Sequence, residues 1–193
     1  LIGRPPLTRA WGATITGRDA GREELFLMDI SVFIDGANFF YMQKDQLRWW
    51  IDPKKLLGWI QKKGTVVDAF YYVGVDVAAE ARQDAYLKAL TYMGYSLVTK
   101  NLKTVTQSDG NERKKANLDI EIVLDMFNTV ALYDMAVLVS GDGDFERPLQ
   151  LLRARGKRFL VMSTAGFVAK EIREVAGMRF VDFQDIRAEV EKM

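Results

Sequence analysis

The chain has 193 residues, 49% of them hydrophobic, and a formal net charge of +1. That length suits one domain with a core covered on both faces, and no run reaches the roughly 18–20 uninterrupted apolar residues of a membrane-spanning helix. The absence of Cys and His removes thiol nucleophiles, disulfides, Ser-His-Asp triads and His/Cys zinc sites, while near-neutrality leaves any anionic partner to be met by a local patch. A chain without Cys fits a reducing compartment, and cytoplasm is the default expectation.

Residues 1–27 are Arg-rich, contain Gly and Pro, and show no helical or strand period before Glu23. They are expected to form a poorly ordered extension, with Met28 a candidate natural start, a transit peptide the alternative, and residues 28–193 the domain. The pattern then predicts a strand at 31–34, a helix at 53–62, a strand at 66–73, a helix at 77–93 and a short strand at 95–99. A polar loop to Lys114 follows, then a helix at 117–130, a strand at 135–140 and a helix at 145–155. A strand at 158–162, a helix at 167–175, a strand at 179–181 and a charged terminal helix complete the chain. Strands separated by helices of this length imply βαβ crossovers and an α/β fold with a mostly parallel sheet. Ligand sites in such sheets lie beyond the carboxyl ends of the strands, near the point where strand order reverses.

Two strands are expected to end in aspartate: the first at Asp35, followed by Gly36, Ala37 and Asn38, and a later one running through Ser140 and Gly141 into Asp142, Gly143 and Asp144. Between them Asp119 opens a helix whose Ile122, Val123, Met126 and Val130 are placed to face the sheet. Each residue has an ordinary alternative: Asp142 or Asp144 as an N-cap, Asn38 as a cap after the first strand, Asp119 as a partner of the helix dipole. Four aspartates at one sheet edge, however, repel one another unless protons or cations offset the charge. With carboxylates and amides as the strong side-chain ligands, Mg²⁺ or Mn²⁺ is the expected ion, able to activate water and stabilise charge on a phosphoryl group. Gly36, Gly141 and Gly143 are read as turn residues beside the acids, and the segment matches neither a dinucleotide fingerprint nor a Walker A loop.

The segments Ser31 to Asn38, Lys115 to Asp119 and Val139 to Phe145 together resemble the NYN domain, a branch of the PIN-like nucleases that includes the LabA-like bacterial proteins. The resemblance covers about residues 30 to 186. It implies a three-layer PIN-like fold with helices flanking the sheet, an acidic Mg²⁺ or Mn²⁺ site, and action on RNA. By motif, Asp35, Asp119, Asp142 and Asp144 would be the metal carboxylates and catalytic residues, with Asn38 a polar auxiliary. Asp125 matches a further acidic position but lies well around the helix from Asp119, and Ala116 stands where many members have Gly.

RNA, single-stranded or structured, would need cations near this site. Lys100, Lys103, Arg113, Lys114 and Lys115 outweigh Asp109 and Glu112 along one stretch, and of these Lys103, Arg113, Lys114 and Lys115 are the candidate RNA-binding residues. A second cluster, Arg153, Arg155, Lys157 and Arg158, surrounds a later turn, with part of it expected at the opposite sheet edge; a solvated face is the alternative for both clusters. Among Phe39, Phe40, Tyr41, Trp49 and Trp50, at least half are expected in the core, and one or two at a cleft rim could stack on unpaired bases. The leading expectation is therefore a metal-dependent endoribonuclease hydrolysing RNA phosphodiesters, with homodimer formation left open. The alternative is a non-catalytic RNA-binding or regulatory module that keeps the acidic pocket. A haloacid dehalogenase-like phosphohydrolase ranks third, because that chemistry wants a second Asp where this chain has Ala37.

Overall fold

The structure is a computed structural model that describes residues 28–76, 81–106 and 112–193, giving the backbone alone at 81–82, 104–106 and 112–115. The expectation for residues 1–27 lies outside the described residues. In chain order come β1 (Asp29–Asp35), α1 (Gly36–Tyr41), a π-helical turn (Met42–Leu47), α2 (Pro53–Gln61), β2 (Thr65–Val75), α3 (Ala81–Tyr92) and β3 (Ser96–Asn101). They are followed by β4 (Lys103–Thr106), β5 (Glu112–Lys115), α4 (Asp119–Asn128), β6 (Met135–Val139), a 3-10 turn (Gly143–Phe145), α5 (Glu146–Ala154) and β7 (Arg158–Ser163). The chain closes with α6 (Lys170–Ala176), a second 3-10 turn (Gly177–Arg179), β8 (Phe180–Asp182) and α7 (Arg187–Val190).

Six strands form one sheet in the order β3-β2-β1-β6-β7-β8, and every pairing in it is parallel. The alternation of β1 sorts its side chains between two cores. Ile30, Val32 and Ile34 pack with Phe39, Leu56, Ile60 and Leu90 on one face, while Phe33 packs with Ile122, Met126, Leu149 and Ile172 on the other. α1, α2 and α3 thus cover one side and α4, α5 and α6 the other, giving the three layers of an α/β fold. Local signals place the helices: Asp52 caps α2 by accepting from the N–H groups of Lys54 and Lys55 at 2.8 and 3.2 Å, and Pro53 occupies its first position. Along α4, Ile122 and Met126 are buried and Val123 is half-buried against the same core, as is Val130 in the turn beyond the helix end, whereas Ile120 and Leu124 face out.

The expected polar loop before α4 is corrected: β4 and β5 form an antiparallel hairpin in which Lys103 pairs with Lys115 and Val105 with Arg113. The strand expected at Val66 to Val73 is extended at both ends to Thr65–Val75, the one expected at Tyr95 to Thr99 is shifted to Ser96–Asn101 and leaves Tyr95 outside it, and α3 is described only from Ala81. Among the described residues no helix is long and apolar enough to cross a membrane.

Candidate active site

Strand order reverses between β1 and β6, where the register sets Ile34 opposite Val139. Asp35 and Ser140 therefore leave neighbouring strands at the same level, and their chains diverge to open a crevice. Asp35 Oδ1 accepts from the Asn38 N–H at 3.1 Å and so caps α1, and Oδ2 accepts from the Ser140 hydroxyl at 3.1 Å. Ser140 Oγ also accepts from the Asp142 N–H at 3.2 Å, and Asn38 Oδ1 accepts from the Gly141 N–H at 2.9 Å. Both strand ends are thereby tied across the switch point. None of Gly36, Gly141 and Gly143 has positive φ, and Gly36 and Gly141 serve close packing. A Cβ at Gly36 would stand 2.4 Å from the Tyr72 carbonyl oxygen, and one at Gly141 would stand 2.9 Å from Val168 Cα. Gly143 has ordinary room, the nearest atom to its notional Cβ being 3.5 Å away.

Asp35, Asn38, Asp119 and Asp142 line one cavity of about 570 Å³ beyond these strand ends. Asp119 comes from the first turn of α4, and its N–H donates to Asn117 Oδ1 at 2.9 Å. Asp142 caps the 3-10 turn, with Oδ1 accepting from the Asp144 N–H at 3.0 Å. The cap reading and the site reading thus hold together for Asp35 and Asp142: each engages an adjacent N–H and also lines the cavity. Asp144 is exposed on the 3-10 turn and does not line it. Asp125 is held elsewhere, accepting from the Tyr72 hydroxyl at 2.9 Å.

Burial pushes the Asp35 carboxyl up to about 6, and the charges of Asp119 and Asp142 push in the same direction; the Asn38 and Ser140 hydrogen bonds oppose them without cancelling them. An anion there is destabilised by its surroundings, the condition a cation would relieve. Among the described residues no three carboxylates already enclose a point as a closed metal cage. The donor set of carboxylate and amide oxygens fits a hard ion whose shell is completed by water and a substrate phosphate, as Mg²⁺ is usually held.

The rest of the cavity lining is largely apolar and includes Phe40, Tyr41, Tyr71, Val73, Tyr86, Leu102 and Leu118. Of the five aromatics after the first motif, Phe39 and Trp49 are buried, while Phe40, Tyr41 and Trp50 are exposed. Lys103 is exposed on β4; Arg113, Lys114 and Lys115 lie along β5, whose next residues, Ala116 and Asn117, line the cavity. Lys100 leaves the basic group: its Nζ donates to the Asn117 carbonyl at 2.9 Å and pairs with Glu121 at 2.7 Å. All of the Arg153 to Arg158 cluster sits at the end of α5 and the start of β7, the sheet edge opposite the cavity. Sequence reading missed Ser140 as the link between Asp35 and Asp142, and Asn117 as a cavity residue. A serine at a strand end carries no distinguishing pattern, although its place directly before Gly141-Asp142 was a usable cue.

Residues 29–185 match the NYN domain. The chain belongs to the NYN domain family. It is 43% identical over 167 residues to the "Low amplitude and bright protein LabA" of Synechococcus elongatus, an alignment spanning 84% of this chain and 88% of that protein. Among solved structures it resembles a protein of unknown function from Vibrio parahaemolyticus, with a TM-score of 0.71 and 21% identity over 89% of this chain and 100% of that one. At that identity the likeness speaks for the fold alone, and it agrees with the three-layer α/β architecture described above.

Proposed function

We propose that this NYN domain is a metal-dependent ribonuclease, acting as an endoribonuclease on RNA phosphodiesters at the cavity where β1 and β6 part. The reading is supported above all by the convergence of Asp35, Asp119 and Asp142 on one cavity, with the Asp35 charge raised in energy by burial and by its two acidic neighbours. Asp35, Asp119 and Asp142 would hold Mg²⁺ or Mn²⁺, with Asp144 reaching the ion only from its exposed turn. Bound there, the ion would supply water activation and charge stabilisation at phosphorus. The protein's own part is positional: Ser140 and the Asn38 N–H fix both oxygens of Asp35, the Asp144 N–H orients Asp142, and the Asn38 side chain locks the two strand ends. Lys103, Arg113, Lys114 and Lys115 on the hairpin would meet the RNA phosphates beside the cavity.

The test is cleavage of labelled single-stranded RNA by purified protein, with and without Mg²⁺ or Mn²⁺, alongside Asp142→Asn. The Asn side chain keeps the Oδ1 that caps the 3-10 turn, so the fold should hold while metal-dependent turnover falls at least a hundredfold, on the order of what removing one electrostatic stabiliser costs in other active sites. Turnover that survives in Asp142→Asn, or that needs no divalent ion, defeats the assignment. RNA bound with no turnover under any metal would favour the binding-module reading, which the absence of a closed carboxylate cage among the described residues keeps in play.

A further inference from the structure

At the side of the cavity α1 ends in Phe40 and Tyr41 and runs straight into the π-helical turn, a local form that recurs at functional sites. That turn ends at Arg48, which has φ 62, the left-handed conformation that glycine adopts without penalty and arginine does not. The reversal at Arg48 sends Trp49 into the core and Trp50 out to solvent. Trp50 thereby reaches Phe40, ring centroids 5.7 Å apart, and Phe40 meets Tyr41 edge-on at 5.4 Å. The three rings remain 47%, 45% and 41% exposed. Leaving touching rings in water forfeits burial that the core gives Phe39 and Trp49, the usual mark of a surface kept for a ligand. Two exposed cations, Lys44 and Arg48, lie on the same stretch of chain. Lys44 Nζ lies 6.0 Å from the Phe40 ring centroid, and neither Lys44 nor Arg48 has a carboxylate partner among the described residues.

We propose that Phe40, Tyr41 and Trp50 form a stacking platform for the unpaired bases of single-stranded RNA, with Lys44 and Arg48 on its phosphates. This rests on the reading of the cavity as an RNA site, because Phe40 and Tyr41 line that cavity and lead from the platform toward Asp35 and Asp142. Aromatic faces with interleaved cations bind single strands without sequence preference and gain nothing from a duplex, whose bases are already stacked.

The experiment uses the full chain in EDTA, so that nothing is cleaved, titrated with a labelled ten-nucleotide oligoadenylate and with an RNA duplex of the same length. Trp50→Leu and Phe40→Leu remove the ring and keep apolar bulk, and each should weaken single-strand binding by about tenfold while duplex binding moves less than about twofold. Trp50→Phe should keep affinity within about threefold yet lose most of the tryptophan quenching that the oligonucleotide causes in the unaltered chain, a readout that also stands if a leucine variant misfolds. Unchanged single-strand affinity in both leucine variants overturns the platform. So do equal losses on single strand and duplex, or a dimer that these variants split without any effect on RNA. Ring-dependent binding that is never followed by metal-dependent turnover leaves the platform standing and removes the ribonuclease reading, so the two can fail separately.

Discussion

At the cavity floor one carboxyl group couples the acidic site to stability. Free Asp ionises near 3.8, and burial with two acidic neighbours raises Asp35 to about 6. Below pH 3.8 the group is protonated in both folded and unfolded chains and costs nothing. Between those values the unfolded chain releases its proton while the folded chain keeps it, so stability falls as pH rises and reaches its full loss, roughly 3 kcal/mol, above about pH 6. In metal-free protein Asp35→Asn should abolish that slope and raise the melting temperature at pH 7 by about 6–12 °C, because Oδ1 still accepts from the Asn38 N–H. Denaturant titrations of both proteins from pH 4 to 7 check this, and parallel curves would show that Asp35 is not the strained group. Gly36 gives the opposite case. Alanine there drives Cβ to 2.4 Å from the Tyr72 carbonyl oxygen, a backbone atom in the neighbouring strand, and should cost about 2–4 kcal/mol in a urea melt. The aspartates were legible because strand ends and a helix start are readable from hydrophobic runs. Asp142 and Asp144 share a motif two residues apart, and which of them faces the cavity is decided by the 3-10 turn that Asp142 caps, which no pattern in Gly141-Asp142-Gly143-Asp144 encodes.

Among the elements the β4–β5 hairpin is the one that, on the proposed reading, would guide an anionic strand to the acids. Its segments Lys103–Thr106 and Glu112–Lys115 lack the apolar alternation of a strand packed on a core, so the sequence reads as loop, and the hairpin stands as its own two-stranded sheet. The central strands β1 and β6 were legible for the opposite reason: buried on both faces, they show as continuous apolar runs, and only their ends shifted. Replacing Arg113, Lys114 and Lys115 together with Ala should weaken RNA binding and flatten its salt dependence, with metal affinity changing much less. For a single strand the slope of log affinity against log salt flattens by about 0.7 for each phosphate that is no longer neutralised, so removing three cations shifts it by roughly 2. Binding titrations across salt concentrations measure that shift directly, and an unchanged slope would make the hairpin a solvated face.

Over the whole molecule the parallel sheet gives the protein two unlike ends. Every strand of the main sheet points its carboxyl end toward the cavity, so the acids, the hairpin and the exposed rings gather there, while the Arg153 to Arg158 cluster lies at the other end. The far cations are already engaged in holding the fold. Arg153 donates to the Val175 carbonyl at 2.7 Å and stacks on Phe159, Arg155 covers Phe127, Lys157 lies against Tyr133, and Arg158 reaches Met28. Two clusters of similar composition in the sequence thus lie at opposite ends of the sheet, a distinction that charge counting alone could not make and sheet polarity does. Arg153→Ala with Arg155→Ala should therefore lower stability by about 1–2 kcal/mol, because stacking and packing on Phe159 and Phe127 disappear. The same pair should leave both the affinity for a short single-stranded RNA and its salt slope within error, because a strand seated at the cavity does not pass this edge. Melting and salt-titrated binding on one preparation give both numbers. A fall in affinity equal to that of the hairpin variant would mean that RNA wraps the molecule from one sheet edge to the other, and the cavity would then be one stop on a longer path.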